Sequence, residues 1–418
     1  MADDLIGADV SRELGRIGRA EIVVGVASSN SARTIRQVLE AAAGALSTYY
    51  PGASGVIVTA DGGSRDGTLE AARGAATGPW PAVVVAPRDG SAADRVLAGK
   101  GGGLRAILAV AERVDARACA LLDADVGGAG GEWLQRLLDP VVREGLDLVA
   151  PVYARHRYDG MLTSFLVYPL TRALYGRRVR QPVGGHFGLS GALARRLLAA
   201  GAWEGSAGRY SRDLWMTTTA LADGMSVGQA NLGTGRRGPR DSGAALGSTF
   251  ATVVGTAFAL MEPYRPAWWS VVETEAVPTF GAPSAVGVEP VSVNVDRMIA
   301  TFRQGLADLV PVWRKALAPE TCAALADLAA DPPEPVRFPA ELWAQVVYDG
   351  AVAHHLRLLP RDHLLRALIP LYLGRAAAFV MGTASADAGT ADAEIEAQGT
   401  AFESTKPYLL DRWDGRRP

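Results

Sequence analysis

The chain has 418 residues, 49% of them hydrophobic and 21% charged, which is enough apolar material for a sizeable core and for two domains. Lys plus Arg number 42 against 44 Asp plus Glu, a balance that supplies no bulk field for nucleic acid or for an anionic membrane. Two cysteines, Cys119 and Cys322, exclude a disulfide-stapled scaffold, and Cys119 inside an apolar run points to a reducing compartment.

Residues 1–20, MADDLIGADVSRELGRIGRA, lack the apolar core of a signal peptide, and no uninterrupted apolar stretch is long enough to span a bilayer. A cytoplasmic protein without a transmembrane segment is expected. EIVVGVA (21–27) reads as a buried strand. SSN (28–30) then offers cap residues to a helix with Ile35, Val38, Leu39, Ala42 and Leu46 on one face. GVIVTA (55–60) predicts a second strand, followed by a glycine-rich turn and a short helix. AVVVA (82–86) is a third, and Leu104, Ile107, Leu108 and Ala111 mark the next helix. ACALL ending at Leu122 is a fourth, and LDLVAPV (146–152) a fifth, after a helix carrying Trp133, Leu137 and Val141. This alternation predicts a mostly parallel α/β sheet with helices on both faces, where ligands bind beyond the carboxyl ends of the strands.

From about residue 240 the texture becomes helical, so residues 1–239 are expected to form a ligand-binding domain and 240–418 a mainly helical C-terminal region. LWAQVVYDGAVAHHLRLL and HLLRALIPLYLGRAAAFV predict packed helices, the second bent or interrupted at Pro370. DPPEPVRFP (331–339) reads as a rigid connector, and TASADAGTADAE (383–394) as loosely ordered.

Four stretches should meet at the sheet's carboxyl edge. In ADGGSRDGT (60–68), Asp61 is placed to accept hydrogen bonds from a base or ribose, while Ser64 and Asp66 fit equally a turn that caps the next helix. In AGKGGGLRA (98–106), glycines precede a helix and Lys100 projects from the loop, an arrangement suited to phosphate but without Walker A spacing. In LLDADVGG, Asp123 and Asp125 share a face just past a buried strand. Two carboxylates that close need a cation or a proton between them, and oxygen ligands of this kind suit Mg²⁺ or Mn²⁺ with phosphate oxygens completing the shell. The alternative for Asp125 is helix capping. In RQPVGGHFGLSG (180–191), the glycines suggest a loop against a ligand, with His186 either structural or able to donate, accept or ligate.

In this order and spacing, ADGGSRDGT, GKGGG, DAD and QPVGGHFGLSG resemble the nucleotide-sugar-dependent glycosyltransferases of the GT-A fold. The resemblance is to the retaining branch that contains mannosylglycerate synthase and glucosyl-3-phosphoglycerate synthase, and it covers roughly residues 20–240 by motif. It implies a Rossmann-like domain with Asp61 near the nucleoside and Lys100 near the base or diphosphate. Asp125 would hold the metal that bridges the diphosphate, beside Asp123, and the loop around Gly184 and Gly185 would shape the sugar and acceptor pocket. Three positions depart from the family: His186 replaces an acidic residue, Gly102 an aspartate, and Arg236 and Arg237 stand where relatives carry a metal-binding histidine. A guanidinium cannot ligate a cation.

The expected activity is metal-dependent transfer of a hexose from a GDP- or UDP-linked donor to a small hydroxy-acid-like acceptor such as glycerate or phosphoglycerate, with retention. Asp213, in RYSRDLWMTTTA, is the acidic group expected near the reaction centre, its alternative being a helix N-cap. Water and diphosphate oxygens are expected to complete the metal shell, with ligation by His186 as the rival. No nucleic-acid partner is expected, and a homo-oligomer is. The competing readings are a non-catalytic nucleotide-sugar binder and an inverting GT-A enzyme.

Overall fold

The computed structural model describes residues 5–87, 99–127, 131–200, 211–234, 236–237, 246–283, 288, 291–330 and 336–415. The strands begin with β1 (Ile22–Ser28), β2 (Gly55–Asp61), β3 (Ala82–Val85), β4 (Ala118–Asp123), β5 (Val126–Gly127) and β6 (Leu148–Tyr153). They continue with β7 (Arg177–Arg178), β8 (Phe187–Ser190), β9 (Val227–Gly233), β10 (Arg236–Arg237), β11 (Glu275–Ala276) and β12 (Thr279–Phe280).

Eight of these form one sheet in the order β12-β9-β6-β8-β4-β1-β2-β3, parallel throughout except for β8, which runs antiparallel to β4 and β6. Every residue of β1 and β2 is buried, as a central parallel strand covered on both faces requires. Alternation sorts the faces. Ile22, Val24 and Val26 join a core with Ile35, Leu39 and Leu46 of the helix Ile35–Tyr49 and with Trp133, Leu137 and Val141 of the helix Gly131–Val142. On the opposite face Gly25 lies so close to Ile107 of the helix Gly99–Arg113 that an added Cβ would sit 2.2 Å from it. Cys119 is buried in β4, and burial pushes its thiol up to about 12.

The chain forms two compact units, residues 1–154, 183–240 and 277–288 in the first, and 155–182, 241–276 and 289–418 in the second. Sequence texture suggests a single division near residue 240, whereas the units exchange segments. Residues 277–288 add the edge strand β12 beside β9 in the first unit. Residues 155–182 supply the helix Tyr168–Tyr175 to the second, where the Arg172 guanidinium pairs with Glu396 and Glu403. The boundary at residue 155 has no linker-like composition, and the Pro/Gly stretch at 182–185 does not by itself mark a unit boundary.

The second unit is built mainly from helices, the longest being Ala340–His355, Arg361–Gly382 and Ala388–Trp413. Arg361–Gly382 is long and apolar enough to cross a membrane by length and composition, and most of it is buried within the protein. It runs through Pro370 without interruption, because packing outweighs one missing hydrogen bond: Pro370 seats against Gly305, and Gly374 against Phe302. The stretch expected to be loose instead starts a helix, with the Asp387 carboxylate accepting from the Thr390 N–H at 2.7 Å as its N-cap. Residues 331–335 of the proline-rich connector lie outside the described residues.

Candidate functional site

Strand register brings the carboxyl ends together. Ser28 pairs with Asp61, and Ala27 with Asp123, so the last residues of β1, β2 and β4 share one edge of the first unit. Asp61 is only 2% exposed and its oxygens are already engaged. Oδ1 accepts from the Ser28 hydroxyl at 2.9 Å and the Ser64 hydroxyl at 2.5 Å. Oδ2 accepts from the Gly63 N–H at 2.9 Å and the Ser64 N–H at 2.7 Å. A carboxylate has about four lone-pair sites, and these four bonds engage Asp61 in folding its own loop. Asp66 does the same one turn later. It accepts from Ala32 and from Thr68 of the short helix Thr68–Arg73, and the Thr68 hydroxyl bond holds its carboxyl below the usual range.

The residues expected to cap the first long helix are used differently. Thr34 occupies its N-cap without a side-chain hydrogen bond, while Asn30 and Ser31 tie the loop after β1 to the loop after β2. The Ser31 hydroxyl also donates to Asp125. That carboxylate is exposed just past β4, and its backbone N–H donates to Asp123 Oδ1 at 3.1 Å, the local turn that sets both aspartates side by side. The next two residues form β5, which pairs antiparallel with β10 so that Arg237 lies opposite Val126 and Arg236 opposite Gly127. The backbone of the arginine pair is thereby fixed beside the aspartates, while the arginine side chains lie outside the described residues. So does the side chain of Lys100. Its backbone is the second residue of the helix Gly99–Arg113, so GKGGG belongs to the helix and not to a loop before it.

The glycine loop ahead of β8 is pinned from two sides. Gly184 approaches Pro151 so closely that a Cβ would lie 2.1 Å from its ring, and its carbonyl accepts from the Tyr153 hydroxyl at 2.9 Å. Gly185 has φ +82°, a left-handed conformation natural to glycine, and its N–H donates to Asp213 Oδ2 at 2.8 Å. His186 is fully buried, edge-on to Trp133 with ring centroids 5.2 Å apart, and its Nδ1 is hydrogen-bonded to Tyr153. The single hydroxyl proton of Tyr153 goes to the Gly184 carbonyl, so Nδ1–H of His186 is the donor to Tyr153. His186 thus braces the loop from inside.

Asp213 is the second residue of the helix Arg212–Ala222, whose N-cap is Ser211. It is nearly buried, favoured by the helix's positive end, and hooks the glycine loop. Its neighbour Arg212, which sequence reasoning passed over, faces both acidic groups. Its Nε lies 3.3 Å from Asp213 Oδ1 and an NH2 nitrogen lies 3.6 Å from Asp123 Oδ2. Arg212, Asp213, Gly185, Leu121 and Ala27 line a narrow cavity of about 10 Å³, room for roughly one water. The only signal in the sequence was a basic residue adjacent to the acidic candidate. Tyr153 was equally legible as a strand-end hydroxyl and equally unassigned.

Among the described residues no group of three or more His, Cys, Asp and Glu side chains converges as a ready metal cage. What the site offers is one exposed carboxylate, Asp125, beside a half-buried one, Asp123. That set fits an ion of the Mg²⁺ type held by one or two carboxylates, with ligand phosphates and water filling the remaining positions.

No protein-family model and no curated protein matches the chain. Among solved structures it is similar to glucosyl-3-phosphoglycerate synthase from Mycobacterium tuberculosis in complex with Mn²⁺, uridine diphosphate and glucosyl-3-phosphoglycerate. The identity is 20% and the TM-score 0.42, over 60% of this chain and 83% of that one. The same synthase with Mn²⁺ and UDP-glucose gives 20% identity and a TM-score of 0.41, covering 60% and 82%. With Mg²⁺ and UDP the values are 20%, 0.40, 60% and 82%. The fold rests on the strand order and register described above.

Proposed function

We propose that the chain is a glycosyltransferase of the GT-A type that uses Mg²⁺ or Mn²⁺ to move a hexose from a nucleoside-diphosphate sugar to a small hydroxy-acid acceptor, with retention. The observation that carries this reading is one arrangement. Asp123 and Asp125 stand at the carboxyl edge of β4, the backbone of Arg236 and Arg237 runs alongside, and Asp213 holds the glycine loop to the same edge. Ligands of open α/β sheets bind at such an edge.

In this reading Asp125, with Asp123 beside it, holds the metal, whose chemistry is to neutralise the departing diphosphate. Lys100, Arg236 and Arg237 would supply fixed positive charge for the phosphates. Gly184 and Gly185 form the wall against which the sugar lies, and Asp213 keeps that wall in place while presenting an anionic oxygen towards positive charge developing on the sugar. Asp61 and His186 act one layer back, by shaping the loop after β2 and the glycine loop.

Thermal shift against a panel of UDP- and GDP-sugars, with and without Mn²⁺, tests donor binding. UDP-glucose with phosphoglyceric acid, the compounds bound in the similar structures, is the first pair to assay for transfer. Metal-dependent stabilisation and release of nucleoside diphosphate are expected, and proton NMR of the product reads its anomeric configuration. Absence of stabilisation by any nucleoside-diphosphate sugar with metal sinks the proposal. Arg236 and Arg237, at the position where a metal-binding histidine is expected, favour a second reading, a non-catalytic nucleotide-sugar binder. Binding without turnover across the donor and acceptor panel selects it.

A further inference from the structure

Among the described residues, Arg212 lies between two acidic groups of the site, Asp123 and Asp213. We infer that its guanidinium serves as the resident counter-charge of the metal-free protein, occupying part of the field of Asp123 until donor and metal arrive, so that metal binding is gated by nucleotide. The inference rests on the glycosyltransferase reading above for the identity of the incoming ligand.

The geometry is specific. Arg212 is 17% exposed, Asp123 14% and Asp213 12%, so the three groups are partly withdrawn from water and less screened than a surface pair. Separations of 3.6 Å to Asp123 and 3.3 Å to Asp213 make one guanidinium common to both carboxylates. Arg212 cannot lose its charge at any accessible pH. A divalent ion approaching Asp123 and Asp125 therefore meets a fixed positive charge already beside one of its two ligands. A second cation competing for the same oxygens meets direct electrostatic repulsion from that guanidinium. A nucleoside diphosphate reverses the balance, because its negative charge offsets the repulsion between guanidinium and metal.

The same contacts give Arg212 a second duty as a positioning residue. Its Nε holds Asp213 Oδ1 while Asp213 Oδ2 holds Gly185, so a rearrangement at Asp123 is transmitted through one side chain to the glycine loop.

Mn²⁺ titration followed by electron paramagnetic resonance tests this on the full chain, first with the metal alone and then with UDP or GDP. Arg212→Gln should bind Mn²⁺ about tenfold more tightly than wild type in the absence of nucleotide, and Arg212→Lys should stay within about threefold of wild type because the charge is kept. Adding Asp123→Asn to Arg212→Gln should remove the gain. Arg212→Met, which retains the apolar stem, replaces the Gln variant if circular dichroism shows the latter unfolded. Nucleotide-free affinity in Arg212→Gln equal to or weaker than wild type overturns the inference. Failure of both UDP and GDP to tighten Mn²⁺ binding in wild type overturns the gating and counts against the donor reading, while the nucleotide-free comparison separately decides whether Arg212 is a counter-charge.

Discussion

The carboxylate of Asp213 and the backbone N–H of Gly185 are joined at 2.8 Å, which ties the start of one helix to the tip of a loop from a different part of the sheet. Because Gly185 sits at φ +82° and its N–H has a charged acceptor, the loop conformation depends on that carboxylate. Asp213→Ala should lower transfer by at least about a hundredfold, the scale of losing one charge-stabilising group in a transition state. Asp213→Asn keeps an acceptor for Gly185 and should retain loop order, read as resistance of residues 183–190 to hydrogen exchange, while still losing most activity. Equal activity in Asn and wild type would reduce Asp213 to a loop anchor.

Asp125 is exposed and supports little core, so its loss should separate function from folding. Asp125→Ala removes the Ser31 contact, a cost of about 1 kcal/mol, and should abolish the extra melting temperature that Mn²⁺ with nucleoside diphosphate confers. Calorimetric scans with and without ligand measure both quantities. Persistence of the metal-dependent shift would move the metal away from this strand end.

For Asp61 the structure and the sequence lead to opposite emphases, and mutation distinguishes them. Asp61→Ala leaves the Gly63 and Ser64 N–H groups and two hydroxyls without their acceptor in a buried turn, for a stability loss of about 2–4 kcal/mol. Asp61→Asn, which retains one acceptor oxygen, should lose roughly half of that. Urea denaturation gives the stability, and donor titration of the folded Asn variant should show only a modest change in affinity. A large loss of donor affinity at unchanged stability would restore the direct nucleoside contact.

Tyr153 and His186 hold the glycine loop from below. Tyr153→Phe removes both the bond to the Gly184 carbonyl and the partner of His186 Nδ1, and should cost about 1–3 kcal/mol. His186→Ala opens a void beside Trp133 and should cost about 2–4 kcal/mol. Neither should change nucleotide-free Mn²⁺ affinity. A loss of metal binding in the alanine variant would return His186 to the metal shell.

Elements with strong apolar periodicity were legible from residues alone. β1, β2, β4 and the helix faces at Ile35–Leu46 and Trp133–Val141 lie where the pattern puts them, since a parallel strand buried on both faces leaves an uninterrupted apolar run. Aspartates at strand ends were visible for the same reason. Their partners were not. Ser28 reaches Asp61, and Arg212 reaches Asp123, only through strand register and helix placement, which no local window encodes. Glycine alone does not distinguish two uses: in GKGGG it lies within a helix, while at Gly185 it is needed for a positive φ. Pro370 and Asp387 show the converse, where packing and one capping carboxylate overrule composition.

A last prediction concerns stability, and it comes from the second unit. Lys406 is buried, and its ammonium donates to the Trp268 carbonyl at 2.8 Å and to the Val271 carbonyl at 2.6 Å. Burial pulls its pKa from 10.5 down to about 8. Between pH 8 and 10.5 the unfolded chain therefore carries a proton on this side chain that the folded chain has released. The unfolded state binds more protons in that window, so stability rises with pH there and the penalty for burying the charge is fully present below pH 8. Integrated between pH 7.5 and 10, the effect is about 2 kcal/mol. Lys406→Met lacks the titration, so its stability relative to wild type should fall by about 2 kcal/mol between pH 7.5 and pH 10. Denaturant melts of both proteins at the two pH values measure the difference. A relative stability that stays constant or rises would show that Lys406 remains charged in the folded state across the window.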